Sequence, residues 1–338
     1  MRLVNNPSLP EVAQALLDPK AYPEPLQKVE LVQTQMSFVF LTDDYVYKVK
    51  KPVNLGYLDY TTLDKRQFYC QREVELNRRL CTDVYLGVVP ITKHKGRILI
   101  DTQGKAMEYA VKMRRLPQEA MMDVLLAKDK VSLQMIAGVA EKVAEFHQKA
   151  ETNASISAFG ELDIITKNTD ENFTQTEKYI GNTISREKYQ RIKAYTSRFI
   201  KENASLFRQR RVDGRIRDCH GDLHAAHICF YDGICIYDCI EFNDRFRYCD
   251  VASEVAFLAM DLDHYGRADL SHSFVNAYVD RSQDKELMEL LDFYKCYRAY
   301  VRGKVESFKL DDPHIPPEEK TRVLAIAKSY FELAESYI

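Results

Sequence analysis

An α+β chain with an antiparallel sheet first and helices after it is what the sequence predicts, on three observations. "KVELVQTQMSFVFLTDDYVYKVKKPV" alternates apolar and polar residues and is rich in Val, Phe and Tyr, which is the period of half-buried strands. "TTLDKRQFYCQREVELNRRLCTDVY" places Leu, Phe, Val and Leu at helical spacing, so one helix interrupts the strands. After Pro117 the periodicity changes to that of long amphipathic helices and stays so, apart from one short β-like hairpin.

Taken in order, the first alternating run predicts a strand, a turn at Thr34–Ser37, a second strand, a tight "TDD" turn and a third strand ending near Lys50. The helix follows, and "LGVVPITKHKGRILIDTQGKAMEYAVKMRRLP" predicts two or three further strands. Residues 1–115 thus form a β-rich lobe and residues 116–338 a larger helical lobe, with a cleft expected between them. In the second part "QEAMMDVLLAKDKVSLQMIAGVAEKVAEFHQKA" and "ISREKYQRIKAYTSRFIKENASLFRQRR" are helices, and a hairpin turns at "YDG". "DVASEVAFLAMDLD", "DLSHSFVNAYVD", "KELMELLDFYKCYRAYVRGKV" and "PEEKTRVLAIAKSYFELAESYI" close the chain as helices.

Composition narrows the function classes. The 338 residues carry 48 basic and 50 acidic side chains, a formal net charge of −2, so there is no global attraction for nucleic acid or anionic lipid. No run reaches the length of a membrane span and the start lacks a leader pattern, so the expectation is a cytoplasmic protein that binds neither membrane nor nucleic acid. The eight cysteines contain no CxxC pair, and buried free thiols are the expectation for them.

The chemistry concentrates in "RDCHGDLHAAHICF" and the strand after it. Asp222 and Asp238 fall at the ends of short apolar runs on either side of the hairpin, where two carboxylates call for a divalent cation. Asp250, twelve residues beyond Asp238, stands where a helix N-cap belongs. Phosphoryl transfer asks for a carboxylate at the acceptor hydroxyl, a metal carboxylate, and a strand lysine held by a helix glutamate. The chain supplies these in order: Lys48 and Lys50 on a strand, Glu73 and Glu75 on the next helix, then Asp222 and Asp238.

"CHGDLHAAH", the following "IYD" and the downstream Asp resemble the aminoglycoside phosphotransferase/choline kinase family of the protein-kinase-like fold. More closely, "VFLTDDYVYKVKKPV", "YLGVVPIT" and "CIEFNDRFRYCDVASEVAFLAMDL" resemble a bacterial subgroup in which some members carry an additional P-loop ATPase domain. The chain has no GxxxxGK[ST], so a P-loop ATPase is expected only as a partner. The resemblance implies a bilobal fold, ATP or GTP with Mg2+ or Mn2+, and a small-molecule acceptor that gains a phosphate on a hydroxyl. Its alternative is a nucleotide-binding regulatory module with little or no turnover.

Residue by residue, the resemblance assigns Asp222 as the catalytic, acceptor-orienting carboxylate and His220 as structural support behind it. Asp238 and His227 become the metal ligands, with Glu241 competing with Asp238. Lys48 and Glu73 become the phosphate-positioning pair, with Lys50 and Glu75 as alternatives. Thr34 and Ser37 would cover the phosphates, and Met113 and Arg115 fall in the adenine hinge. His224, Glu241, Arg298 and Arg302 are candidate acceptor contacts, the two arginines with Tyr294 on one helical stripe. Two departures stand out. His227 occupies the family's Asn position and suits softer ions than magnesium. The turn "TQMS" also lacks the glycine that lets backbone approach phosphate.

Overall fold

The computed structural model describes residues 9–312 and 315–338. By contact density the chain forms two compact units, the first running to Ala120 and including Cys229–Asp244, the second comprising Met121–Ile228 and Arg245–Ile338.

The first unit is built on six antiparallel strands: β1 (Glu30–Gln33), β2 (Ser37–Leu41), β3 (Tyr45–Lys50), β4 (Tyr85–His94), β5 (Arg97–Ile100) and β6 (Ala106–Arg114). Their order is β1-β2-β3-β6-β4-β5. Among the described residues the unit's α-helices are α1 (Glu11–Ala15) and α2 (Leu63–Asn77). Strand alternation divides β3 cleanly. Tyr47 and Val49 enter an apolar cluster with Phe38, Phe40, Ile91 and, from α1, Ala13. Lys48 and Lys50 therefore fall on the opposite face, and both reach Glu73 of α2. Thr62 caps α2, its hydroxyl accepting from the Lys65 N–H at 3.3 Å. Arg66 pins the same helix to β6, donating to Glu108 at 2.8 and 2.9 Å and to the Tyr60 carbonyl at 2.8 Å.

The second unit carries α3 (Met122–Ala127), α4 (Leu133–Lys149), α5 (Ala154–Ser157), α6 (Leu162–Thr176), α7 (Arg186–Glu202), α8 (Ala204–Val212) and β7 (Ile216–Asp218). The chain then makes the hairpin β8 (Ile228–Phe230) and β9 (Ile234–Ile236) of the first unit, with Asp232 and Gly233 both at positive φ in the turn read from "YDG". After α9 (Asp244–Arg247) come β10 (Tyr248–Asp250), α10 (Val251–His264), α11 (Ala268–Ser282), α12 (Leu287–Phe308) and α13 (Pro317–Glu335). β10 pairs with β7, so three-residue strands bracket the motif loop. Asp250 caps α10 through the Ala252 N–H at 2.8 Å, the role expected of it. It also grips Arg210, which is fully buried between Asp250 and Asp284. Every residue of α10 from Val251 to Leu262 is buried, as befits a helix apolar on nearly all sides.

One expectation is corrected. Cys81 and Cys235 are not free thiols: they form a disulfide that joins positions 154 residues apart, with Cα atoms at 4.8 Å. The turn after α2 and strand β9 meet in the first unit, and no spacing in the sequence announces that meeting. The other six cysteines are free, five of them buried. Among the described residues no helix is long and apolar enough to cross a membrane.

Candidate active site

In the first unit the candidate side chains form one chain of charges. Lys48 Nζ lies 2.7 Å from Asp238 Oδ1 and 2.9 Å from Glu73 Oε1. The latter contact is in ion-pair range but off the line of a hydrogen bond, and that oxygen has no hydrogen-bond partner. Lys50 Nζ donates to Glu73 Oε2 at 2.6 Å and pairs with Glu241, which also accepts from the Tyr60 hydroxyl at 2.6 Å. Two ammonium groups thus face three carboxylates. Burial disfavours both ammoniums, yet Asp238 and Glu73 hold Lys48, and Glu241 and Glu73 hold Lys50, well above the usual lysine range. Burial likewise works against the Glu73 carboxylate, and the two lysines keep it below its ordinary value.

Exposure separates the alternatives that spacing left open. The side chains of Lys50, Glu73 and Glu241 are at most 5% exposed, whereas those of Lys48 and Asp238 are 15% and 41% exposed. Glu75 is turned outward to Arg72, at 3.6 Å. Asp238 has a positive φ of 62°, uncommon for a residue with a side chain and worth about 1–3 kcal/mol of strain. Its N–H is held by the Tyr85 hydroxyl at 3.1 Å and the next N–H, of Cys239, by Asn77 Oδ1 at 2.9 Å. The backbone is thereby fixed in the conformation that turns the carboxylate toward Lys48.

The turn between β1 and β2 is self-contained. The Thr34 hydroxyl accepts from the N–H groups of Met36 and Ser37 at 3.3 and 2.9 Å, and Ser37 Oγ is buried without a hydrogen-bond partner. Lys51 closes the turn through the Thr34 carbonyl at 2.6 Å. At the end of β6, Met113 pairs across to Val46 and Tyr85. Arg115 donates its backbone N–H to Asp44 and its guanidinium to the Thr42 carbonyl at 2.6 Å.

In the second unit the motif loop is held from behind by Glu254 of α10. Its carboxylate accepts the N–H groups of His220 and Gly221 at 3.0 and 2.6 Å and bonds His147 Nε2 at 2.8 Å. His220 is buried, and its Nδ1 accepts the Asp222 N–H at 3.3 Å. Arg298 reaches the Ser253 hydroxyl at 3.1 Å and the Gly221 carbonyl at 3.4 Å, stacking over Phe257 as it does so. Asp261 accepts the Ala225 N–H at 2.8 Å. Asp222 emerges from this frame with its side chain 32% exposed, His224 Nε2 at 3.5 Å and His227 Nδ1 at 3.6 Å from Oδ2. Burial would raise its pKa, but His224, His227 and the Arg302 guanidinium hold it well below the carboxylate range. Arg302 sits over the Tyr330 ring at 5.5 Å, its buried Nε without a hydrogen-bond partner.

Glu73, Lys48, Lys50, Asp238 and Glu241 therefore come together in one unit, and Asp222, His224, His227 and Arg302 in the other. Arg298 is committed to the loop rather than to a stripe shared with Arg302, and Tyr294 is buried against Phe207 and Phe293. Sequence reasoning missed Glu254. Its signal was present: a glutamate inside a buried apolar helix must find partners that justify its charge.

With this geometry, the chain has the protein-kinase-like fold of choline/ethanolamine kinases and aminoglycoside phosphotransferases. Amicoumacin kinase, solved with AMP-PNP, Ca2+ and Ami, matches with a TM-score of 0.55 at 12% identity, over 94% of this chain and 91% of that one. The GDP complex of aminoglycoside 2′-phosphotransferase-IIIa matches at 0.52 and 12% identity, over 95% and 98%. A choline/ethanolamine kinase family protein from Mesorhizobium loti matches at 0.51 and 12% identity, over 96% and 97%. In sequence, an uncharacterised protein of Mycobacterium tuberculosis is 34% identical over 279 residues, 82% of this chain and 54% of that protein. Its Mycobacterium bovis counterpart matches equally. The chain belongs to the same family as these mycobacterial proteins and spans about half their length. No protein-family model matches it.

Proposed function

We propose that the chain is a phosphotransferase that moves the terminal phosphoryl group of ATP or GTP to a hydroxyl of a small molecule. The observation that carries this reading is Lys48 held between Glu73 and Asp238, at 2.9 and 2.7 Å. A strand lysine secured by a helix glutamate is the arrangement that positions phosphates in this fold. Lys48 is the phosphate contact because it is the more exposed of the two lysines, and Lys50 is the buried counter-ion that keeps Glu73 charged. Asp222 orients the acceptor hydroxyl and takes its proton. Its depressed pKa keeps it ionised throughout the neutral range.

The residues fit a divalent cation. Asp238 is the exposed carboxylate of a cluster with one more negative than positive group, the hard oxygen donor that magnesium prefers. His227 brings a nitrogen donor, better suited to manganese. The bound ion supplies charge neutralisation at the phosphates; the residues of the chain do the positioning. His224, Glu241, Arg298 and Arg302 are proposed around the acceptor at most indirectly, since Glu241 and Arg298 are buried in bonds of their own. The nucleotide choice is left to ATP and GTP alike, as fold relatives hold AMP-PNP and GDP. A P-loop ATPase as partner rests on the sequence resemblance alone.

A second reading, a nucleotide-binding module without turnover, is favoured by the turn at Thr34–Ser37, whose Met36 and Ser37 N–H groups are already taken by the Thr34 hydroxyl. One set of measurements divides the two. The thermal midpoint is followed with ATP and GTP, each with magnesium or manganese, and nucleotide turnover is assayed with hydroxylated acceptors. The phosphotransferase reading expects a metal-dependent rise in midpoint and turnover that Asp222→Asn abolishes while the rise persists. Binding without turnover, indifferent to Asp222→Asn, would establish the module instead.

A further inference from the structure

The rings of His224 and His227 lie tilted to one another beside Asp222, with centroids 4.0 Å apart. His224 Nε2 stands 3.5 Å from Asp222 Oδ2, longer than the roughly 2.7–2.9 Å of a charge-assisted hydrogen bond. It matches instead the edge of about 3.4 Å between two donors of a tetrahedral ion with arms of about 2.1 Å. One ligand atom from each of Asp222, His224 and His227 lies within 4.8 Å of the other two.

The tautomer of His227 points the same way. Its Nδ1 is 2.9 Å from the carbonyl oxygen of Asp222, and since a carbonyl only accepts, Nδ1 carries a hydrogen, so Nε2 of the neutral ring is the nitrogen an ion would take. A ring nitrogen donating to a backbone carbonyl is how metal-bound histidines are usually held and oriented. The surrounding charges nearly balance: the Arg302 guanidinium acts on Asp222 and on Asp261 alike, and Asp261 is fixed to the same loop through the Ala225 N–H.

We propose that Asp222, His224 and His227 form a site for a first-row transition cation, zinc foremost, with two imidazoles and one carboxylate as ligands and a further position open to water. The donor set is the nitrogen-rich one that zinc takes and magnesium refuses. The consequence for catalysis rests on the proposed function: an ion on Asp222 Oδ2 withdraws that carboxylate from the acceptor hydroxyl. Zinc at this site therefore switches phosphotransfer off.

The test needs no turnover. The full chain, stripped with a chelator and free of nucleotide, is titrated with Zn2+ by calorimetry and with Co2+ by visible absorption, where four-coordinate cobalt is intensely coloured. One ion per chain at micromolar affinity or tighter is expected, with the cobalt colour of nitrogen–oxygen ligation. His224→Phe keeps the ring and His227→Asn installs a smaller polar group; each is expected to weaken binding about tenfold or more while the thermal midpoint without metal shows the variant folded. Should either variant unfold, zinc competition against the cobalt colour of the wild-type chain decides the same point. Absence of stoichiometric binding by the wild-type chain overturns the site, and so does binding that survives both substitutions. Zinc binding without nucleotide turnover supports the site and counts against the phosphotransferase reading; turnover without zinc binding does the reverse.

Discussion

Glu254→Gln should cost about 3 kcal/mol of folding free energy at pH 7, and the cost should shrink in acid along a curve that the structure specifies. The carboxylate is buried and binds two consecutive backbone N–H groups of the motif loop together with His147. Burial alone would raise its pKa, but the bond to His147, the charges of His147 and His220, and the backbone bond of His220 bring it down to about 2, from an ordinary 4.5. A group whose folded value is depressed contributes stability that is fully present above its unfolded value and is lost as pH falls toward the folded one. From those two values the contribution is about 3 kcal/mol at pH 7, little less at pH 4.5 and about 1 at pH 3. Glutamine keeps the shape, loses the charge, and turns an N–H2 group toward backbone donors. The assay is urea unfolding of wild type and variant at a series of pH values with equal m-values, so that the difference isolates this one carboxyl. A difference below about 1 kcal/mol at pH 7, or one that stays constant from pH 5 to pH 3, would refute the argument that this carboxylate supports the loop.

The two strand lysines should separate in their effects. Lys50→Met leaves Glu73 and Glu241 buried with their shared partner gone and should cost about 3–5 kcal/mol. Lys48→Met leaves Glu73 its bond to Lys50 and Asp238 partly in solvent, so it should cost clearly less while weakening nucleotide binding; unfolding curves and nucleotide titrations in the reverse order would reject the assignment. The Cys81–Cys235 bond predicts that an oxidised sample unfolded without reductant yields six titratable thiols, and eight after reduction. Its loss should lower stability by about 2–5 kcal/mol; eight thiols before reduction would show the two cysteines unbonded.

Much of this arrangement could be read along the chain because it depends on neighbours in sequence. The strands Glu30–Gln33, Ser37–Leu41 and Tyr45–Lys50 and helix Leu63–Asn77 fall where periodicity placed them, and alternation in Tyr45–Lys50 alone puts Lys48 and Lys50 on one face. Helix Leu162–Thr176 escaped notice because "LDIITKNTDENFTQT" has little apolar stripe. Four of its residues are buried, and three of those are Thr169, Asn172 and Thr176. Strands Ile216–Asp218 and Tyr248–Asp250 are three residues each, too short for a period to register.

What stayed hidden is the identity of distant partners, and the hidden pairs share a physical cause. Glu254 meets residues 34 and 107 positions away, Lys50 meets Glu241 across 191, and Cys81 meets Cys235 across 154. A charge or thiol in an apolar run states that a partner must exist, because its burial unpaired costs several kcal/mol, but it does not name the partner. Glu73 is the instructive case. Spacing offered one lysine for it and could not say which; the fold supplies both, one buried and one partly exposed. The buried lysine secures the glutamate whatever the partly exposed lysine does. The division of labour between two like residues, which the sequence presents as an ambiguity, is what the proposed phosphate contact at Lys48 rests on.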